Sequence, residues 1–383
     1  MFFIGTPGKL KRKSGRVSEK QWPCLRVASE DLLHIDLLRF IASAGIVFDH
    51  SRGFFFPIGE RVALEQRTVG ISLFLDLFFV ISGFVVSHVY HDRVSTLRDY
   101  GIFLQRRVGR LVPLHWITLF LSVLLWATFV LAHYSGAHTP SFSPACIADT
   151  ALLLHSYFPC GNHLYFNGQS WSISAEMGLY VVFPVFAFLG SRNALVLLGV
   201  FLAYSLAVVG FAVDHQGFSL NIDVLDMYPV LRALLSFLLG MAFYYNKNAL
   251  SRIPFSSPLF LMSTLLLVGA MVLGTPQVIL LLLVYVVAAC AAAADIRGER
   301  PNWVRSLAPL GQLTYSIYMW HTIFITIIMN AIVDKFFHGP FWMVLTSALF
   351  CYGVIFVASY LSFFYLETPA RRYIDGFQLF TRR

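Results

Sequence analysis

From Leu32 to Leu366 the sequence is a succession of apolar runs, each long enough to cross a lipid bilayer, joined by polar connections. A helix of about 20 residues spans the roughly 30 Å hydrocarbon layer. Backbone in that medium has to satisfy its own hydrogen bonds, which leaves helices as the economical solution for runs of this length. The composition agrees, at 57% hydrophobic and 13% charged residues. The expected fold is therefore all-α, a polytopic transmembrane helical bundle of about ten spans: 32–49, 70–90, 111–133, 172–190, 194–213, 229–245, 255–274, 277–294, 311–333 and 341–366. The first of these carries charges, and a turn at Gly274-Thr275-Pro276 alone separates the seventh from the eighth. Apart from an Ala-rich run from Ala288 to Ala294 there is no low-complexity tract, and no solenoid-type repeat is present. The chain divides into a basic N-terminal tail (1–31), one transmembrane domain (32–372) and a short C-terminal tail (373–383).

Basic residues orient this bundle. With ten spans and both termini on one side, that side carries 22 Lys and Arg and the other carries Arg52, Arg61, Arg67 and Lys335, with Arg39 and Arg232 inside spans. Such asymmetry predicts cytoplasmic termini. The net charge of +8 then needs no nucleic-acid partner, because the excess sits where anionic headgroups favour it. The tail Lys9-Leu-Lys11-Arg12-Lys13 reads as topogenic, without the apolar core of a cleaved signal peptide, so the first span is expected to stay in the protein. The connection from 134 to 171 is the largest external segment and holds no Lys or Arg. Its Cys146 and Cys160 suggest a disulfide in an oxidising compartment without establishing one. Cys24, Cys290 and Cys351 read as inert, and His138, His155 and His163 lack the short spacing of a zinc site, so no metal is expected.

The polar residues inside the spans are the candidates for chemistry. Asp36, Arg39, Ser43 and His50 fall on one face of the first span. The eleven residues from Arg39 to His50 make about three turns, or about 16 Å. A charged stripe in lipid belongs against a bundle interior or a wet cavity, and a polar clamp between helices is the plainer reading. The fourth span places Ser172, Glu176 and Tyr180 near one face, just after Trp171. Glu176 lies roughly one turn below the external surface by this count, at the depth expected for His50. A carboxylate there can fix a histidine tautomer, or can simply complement a helix N-terminus. In the ninth span Gly311, Thr314, Tyr318, His321 and Ile325 share a face, with Tyr315 beside it. That stripe fits a path for a polar substrate chain, although a hydrogen-bonded helix contact fits its periodicity better. Span two contributes Asp76 and Ser82-Gly83, and the loop after it carries Arg106-Arg107-Val-Gly-Arg110. Arginine forks suit phosphates, and membrane anchoring alone would produce the same cluster.

Seven segments, in order, resemble the acyltransferase-3 family of integral-membrane O-acyltransferases. They are Asp36-Leu-Leu-Arg39 with His50, Asp76 to Phe84, Arg107-Val-Gly-Arg110 with Pro113, Trp171 to Glu176 with Tyr180 and Pro184, Arg232 with Phe237 and Gly240, Tyr315 to His321, and Glu367 with Pro369 and Arg371. Phe40 stands where the family usually has a small residue, and the basic tail is longer than usual. No extra extracytoplasmic domain of the kind some members carry is expected. The resemblance implies transfer of an acyl group, usually acetyl, from cytoplasmic acyl-CoA to a hydroxyl of a cell-envelope or exported glycan. The enzyme would sit in a bacterial inner membrane, use acyl-CoA as co-substrate and hold no tightly bound cofactor. It implies His50 as base, Glu176 as its orienting partner, Arg39 for the thioester arm or developing negative charge, and Arg107 and Arg110 for the coenzyme A phosphates. Asp36, Ser82, Trp171, Tyr180, Arg232, Tyr315, Tyr318 and His321 would line the substrate path or support it. The competing reading is a transporter or flippase for a lipid-linked sugar, which also needs buried charge among its spans; a signalling scaffold would not. Partners expected are the lipid bilayer, acyl-CoA and the glycan acceptor, and the sequence is silent on oligomeric state.

Overall fold

The computed structural model describes residues 24–26, 31–56, 60, 65–133, 139–158, 160–161, 165–220, 228–334 and 341–377. The basic tail at 9–13, Arg61, His138, His163, Lys335 and the last residues of the C-terminal tail lie outside them. The described residues form helices and no strand. The principal helices are α1 (Leu33–Ser51), α2 (Phe74–Tyr90), α3 (Leu97–Leu131), α4 (Pro144–Ala151), α5 (Trp171–Arg192) and α6 (Ala194–Gln216). They continue with α7 (Pro229–Tyr245), α8 (Ser256–Val272), α9 (Gln277–Ile296), α10 (Thr314–Phe324), α11 (Phe341–Ser362) and α12 (Thr368–Gly376). α10 runs on as a π-helix over Ile325–Asp334, and a second π segment, Phe363–Glu367, joins α11 to α12.

By length and composition six helical segments can cross a membrane: Val69–Tyr90, Leu97–Leu131, Gly168–Arg192, Ala194–Gln216, Gln277–Ile296 and Phe341–Gly376. That is fewer than the ten spans expected. α7 and α8 are apolar but have 17 residues each. α1 carries Asp36, Arg39 and Asp49, and α10 gives way to the π-helix after 11 residues. The helices at the periphery, α6 and α11, turn large apolar side chains such as Leu206, Val209, Phe350 and Val357 outward, the surface a bundle shows to lipid rather than to water.

Several elements start where the sequence supplies a cap. Thr96 and Asp99 form a reciprocal capping box at the head of α3, which sets the register of Arg107 and Arg110 downstream. α1 has no cap of its own. The carboxylate of Asp295, at the end of α9, accepts from the backbone N–H groups of His34 and Ile35 and from His34 Nδ1, 2.8 Å away. Between α8 and α9 the chain reverses through Gly274, whose φ of +74° a residue with a side chain rarely adopts. Cys146 and Cys160 form the disulfide that the sequence only suggested. In the same connection His155 is buried with Nε2 3.1 Å from Ser170 Oγ, and burial lowers its pKa to about 4, so it is neutral at physiological pH.

The most extensive helix pairing is between α2 and α7. A Cβ on Gly83 would sit 2.1 Å from the carbonyl oxygen of Phe237, and one on Gly240 would sit 1.9 Å from that of Val80. The two backbones therefore touch, as small residues permit in membrane helices. In the same interface Arg232 Nε and Nη2 lie 2.8 and 2.6 Å from Asp76 Oδ2, with Ser236 Oγ donating to Asp76 Oδ1 and Ser72 O accepting from Nη2. Both charges are almost fully buried. Arg232 is thus a structural residue of this interface. Asp76→Leu, which leaves the guanidinium without its carboxylate, should cost about 3–5 kcal/mol. In detergent the variant should unfold at a clearly lower temperature than its parent, and the double variant Asp76→Leu/Arg232→Met should recover most of the loss. A double variant as unstable as the single one would show that the charges themselves do not hold the interface.

Candidate active site

α1, α2, α3, α5 and α10 surround a cavity inside the bundle. Glu176 lies in its wall with Oε1 accepting from Ser82 Oγ and from Tyr180 OH, each at 2.5 Å. One carboxylate oxygen thereby joins α2 to α5. Arg39, Arg107 and Arg110 line the same space, together with Tyr315 and Tyr318. Three guanidiniums outnumber one carboxylate there, which favours an anionic guest or a carbonyl that gains negative charge. Arg39 makes a contact of 3.4 Å with Asp36, one turn before it on α1. The two expected arginines of α3 take different places. Arg107 is buried, its guanidinium carbon 4.9, 5.2 and 5.4 Å from the rings of Tyr90, Tyr180 and Phe103, and so is held by cation–π contacts rather than at an open mouth. Arg110 alone of this pair reaches a second, wider cavity of about 550 Å³ at the end of the bundle where α1 begins.

That second cavity shares Arg39, Arg110 and Tyr315 with the first, so these three side chains stand between the two. Asp36, Gln312 and Glu367 also line it, with Arg371, Arg372 and Asp375 from α12. Glu367 accepts from Ser316 Oγ. The α12 arginines were not among the site residues expected from sequence. The signal for them was the Glu367-Thr-Pro-Ala-Arg371-Arg372 segment, polar residues directly after a long apolar run.

At the opposite end of the first cavity α5 and α10 are clasped together. Tyr318 OH donates to Gln169 O at 2.8 Å and lies 2.7 Å from Ser172 Oγ, while Gln169 Nε2 donates to Met319 O and its Oε1 accepts from Thr322 Oγ1. Gln169 was another residue absent from the expectation. Trp171, beside it, packs its ring 6.3 Å from Phe79 and its carbonyl accepts from Ser156. Beyond this clasp His50 and His321 meet, their rings edge to face with centroids 4.8 Å apart. His50 is partly exposed and His321 fully buried.

The expected pairing of His50 with Glu176 does not form. Glu176 is bonded to Ser82 and Tyr180, and no hydrogen bond or ion pair joins it to His50 among the described residues. The reason is depth. The helical path of α5 begins with a 3-10 turn at Gly168–Ser170, so that Gln169 stands level with Met319 and Thr322, and Glu176 two turns further on stands in the Arg39 cavity. The carboxylate nearest His50 is instead Asp49, with Oδ2 3.9 Å from Nδ1, and Asp49 is engaged by Arg52.

Comparison with known proteins gives this arrangement a context. The sequence pattern of the family Acyl_transf_3, described as "Acyltransferase domain", matches residues 32–364. The chain belongs to the acyltransferase-3 family. Among its relatives, "Exopolysaccharide production protein ExoZ" of Rhizobium meliloti (strain 1021) is 28% identical over 276 residues, 67% of this chain and 77% of that one. "Protein 2 in picA locus" of Rhizobium radiobacter is 30% identical over 174 residues, 43% of this chain and 84% of its own length. "Putative peptidoglycan O-acetyltransferase YrhL" of Bacillus subtilis (strain 168) is 21% identical over 342 residues, 81% of this chain but 51% of the relative. No solved structure matches the chain. The family and its spanning helices make this a multi-pass bacterial membrane protein of the acyltransferase class.

Proposed function

We propose that this acyltransferase moves an acyl group, acetyl in the simplest case, from cytoplasmic acyl-CoA to a hydroxyl of a cell-envelope or exported glycan. The observation that carries this reading is the pair of neighbouring cavities with Arg39, Arg110 and Tyr315 in the wall of both. A long anionic thioester needs a wide mouth rich in arginine for its phosphates and a narrow inner space for its arm, and the two cavities have those characters. The names of ExoZ and YrhL, one an exopolysaccharide production protein and the other a putative peptidoglycan O-acetyltransferase, support a glycan acceptor. Both termini are cytoplasmic in this reading, on the strength of the basic-residue asymmetry, and the Cys146–Cys160 disulfide in the opposite connection suits an oxidising compartment.

The residues then divide the work. Arg110 receives donor phosphate where the two cavities adjoin, and Arg107, fixed among rings, sets the electrostatics of the inner cavity beside Glu176. Arg39, about three turns of α1 away from His50 and on the other side of the Gln169–Ser172–Tyr318 clasp, binds the thioester arm in the inner cavity. His50 removes the proton of the glycan hydroxyl, a poor nucleophile without a base near neutral pH. Glu176 organises Ser82 and Tyr180 in the cavity wall, a role different from the orientation of His50 expected from sequence.

Cysteine labelling in intact cells should reach substitutions at 152–158 from outside and substitutions at 92–96 only after the membrane is opened; the reverse pattern would invert the topology. Arg110→Ala in the purified protein should weaken coenzyme A binding about tenfold or more, as loss of a charged hydrogen bond does. Arg107→Ala should affect the affinity less, and an unchanged affinity in Arg110→Ala would reduce that residue to a membrane anchor. Replacing His50 with Ala should abolish ester-linked acyl groups on the envelope glycan of a deletion strain carrying the variant at parental levels. Near-parental acylation in that strain would place the base elsewhere.

A further inference from the structure

His50 and His321 are held alike. His50 Nδ1 lies 3.0 Å from Ile46 O and His321 Nδ1 lies 2.7 Å from Tyr318 O, each in the preceding turn of its own helix. A carbonyl can only accept, so each ring carries its hydrogen on Nδ1 and presents an unprotonated Nε2. For His321 that Nε2 is buried and has no hydrogen-bond partner among the described residues. A buried acceptor without a donor costs about 1–3 kcal/mol. Retaining it in contact with the ring of a partly exposed histidine calls for an explanation.

We propose that His321 is the positioning residue of His50: a buried imidazole acceptor that shares the proton His50 takes from the acceptor hydroxyl. The proposal rests on the assignment of His50 as base. In the resting protein neither Nε2 has a hydrogen to give. When the glycan hydroxyl attacks the thioester carbonyl, its proton passes to His50 Nε2, the new acyl–oxygen bond forms and the acyl–sulfur bond breaks. The sulfur leaves as thiolate. The Nε2–H that His50 has just gained, its Nδ1–H being held by Ile46 O, is the one it can offer, and His321 Nε2 supplies an acceptor that burial has left unmatched until the thiolate takes the proton back. The pair then returns the proton to the thiolate, giving the ester and free coenzyme A with both rings neutral again. A carboxylate in many histidine bases accepts from the ring nitrogen opposite the reacting one; here Ile46 O holds that place, and the second imidazole shares the transferred proton itself, without placing a fixed negative charge in the membrane.

The backbone link and the orphan nitrogen can be separated by substitution. His321→Asn keeps an amide N–H near the Nδ1 position for Tyr318 O and removes the Nε2 acceptor. His321→Gln extends an amide oxygen toward the Nε2 position. With acetyl-CoA titrated into membrane vesicles of the producing strain, whose own glycan is the acceptor, His321→Asn should lower kcat about 100-fold. KM for acetyl-CoA should stay within about twofold, and His321→Gln should retain more turnover than His321→Asn. A role confined to packing predicts the opposite order, because Asn preserves the native hydrogen bond. Equal turnover in the two variants, the reverse order, or parental turnover in His321→Asn would overturn the proposal. If His50→Ala is inactive in the same vesicles, the assignment of the base survives that result; if His50→Ala is active, the underlying reading has failed instead.

Discussion

The centre of the bundle depends on one ion pair out of reach of water, Arg232 against Asp76. An isolated charge in an apolar interior is expensive, and here each partner is also matched by other groups, Ser236 for the carboxylate and Ser72 O for the guanidinium. Gly83 and Gly240 let the two helices touch, and the touch keeps this network dry. The rotation of α2 follows. With Asp76 fixed toward α7, Ser82, six residues on and about 120° round the helix, faces α5 and meets Glu176. A structural charge pair on one side of α2 thus sets the position of a cavity hydroxyl on another.

The cavity itself is organised by an unequal sharing of charge. Two hydroxyls, rather than a guanidinium, satisfy Glu176 Oε1, while Arg39, Arg107 and Arg110 line the same wall. Arg107 is stacked among aromatic rings that hold it in place without neutralising it. The interior consequently keeps a positive bias with rigid geometry, the condition under which fixed charge stabilises a developing anion most effectively.

Much of this was legible in the sequence because helical periodicity is insensitive to exact span ends. Arg39, Glu176, Tyr180 and Tyr318 were expected on polar faces of their spans, Ser82 and Tyr315 came from the resemblance, and all six line one cavity. Depth was less legible. Counting turns from a presumed membrane boundary set Glu176 beside His50, whereas the packing of α5 against α2 and α10 puts Gln169 level with Thr322 and Glu176, two turns further on, in the Arg39 cavity. The arginines of α3 looked alike because they are three residues apart; what separates them is the rings of Tyr90 and Tyr180, brought in from other helices. His321 showed its place on a face, but its contact with His50 comes from the way α1 and α10 pack, which no local pattern encodes. The hydropathy of the chain suggested ten spans, and six segments reach spanning length and composition, since charge in α1 and the short lengths of α7 and α8 weaken that criterion.

The clasp made by Gln169, Ser172 and Tyr318 has a consequence for the cell as a whole. It stands between the arginine-lined cavities and the paired imidazoles, with hydroxyl and amide groups bonded to one another across the gap. A bacterial membrane stores energy as an ion gradient, and an open, charged bore through it would let that gradient run down. In the proposed reaction an acyl arm would have to part these side chains, and for as long as they stay bonded to one another they fill the place where such a bore would run.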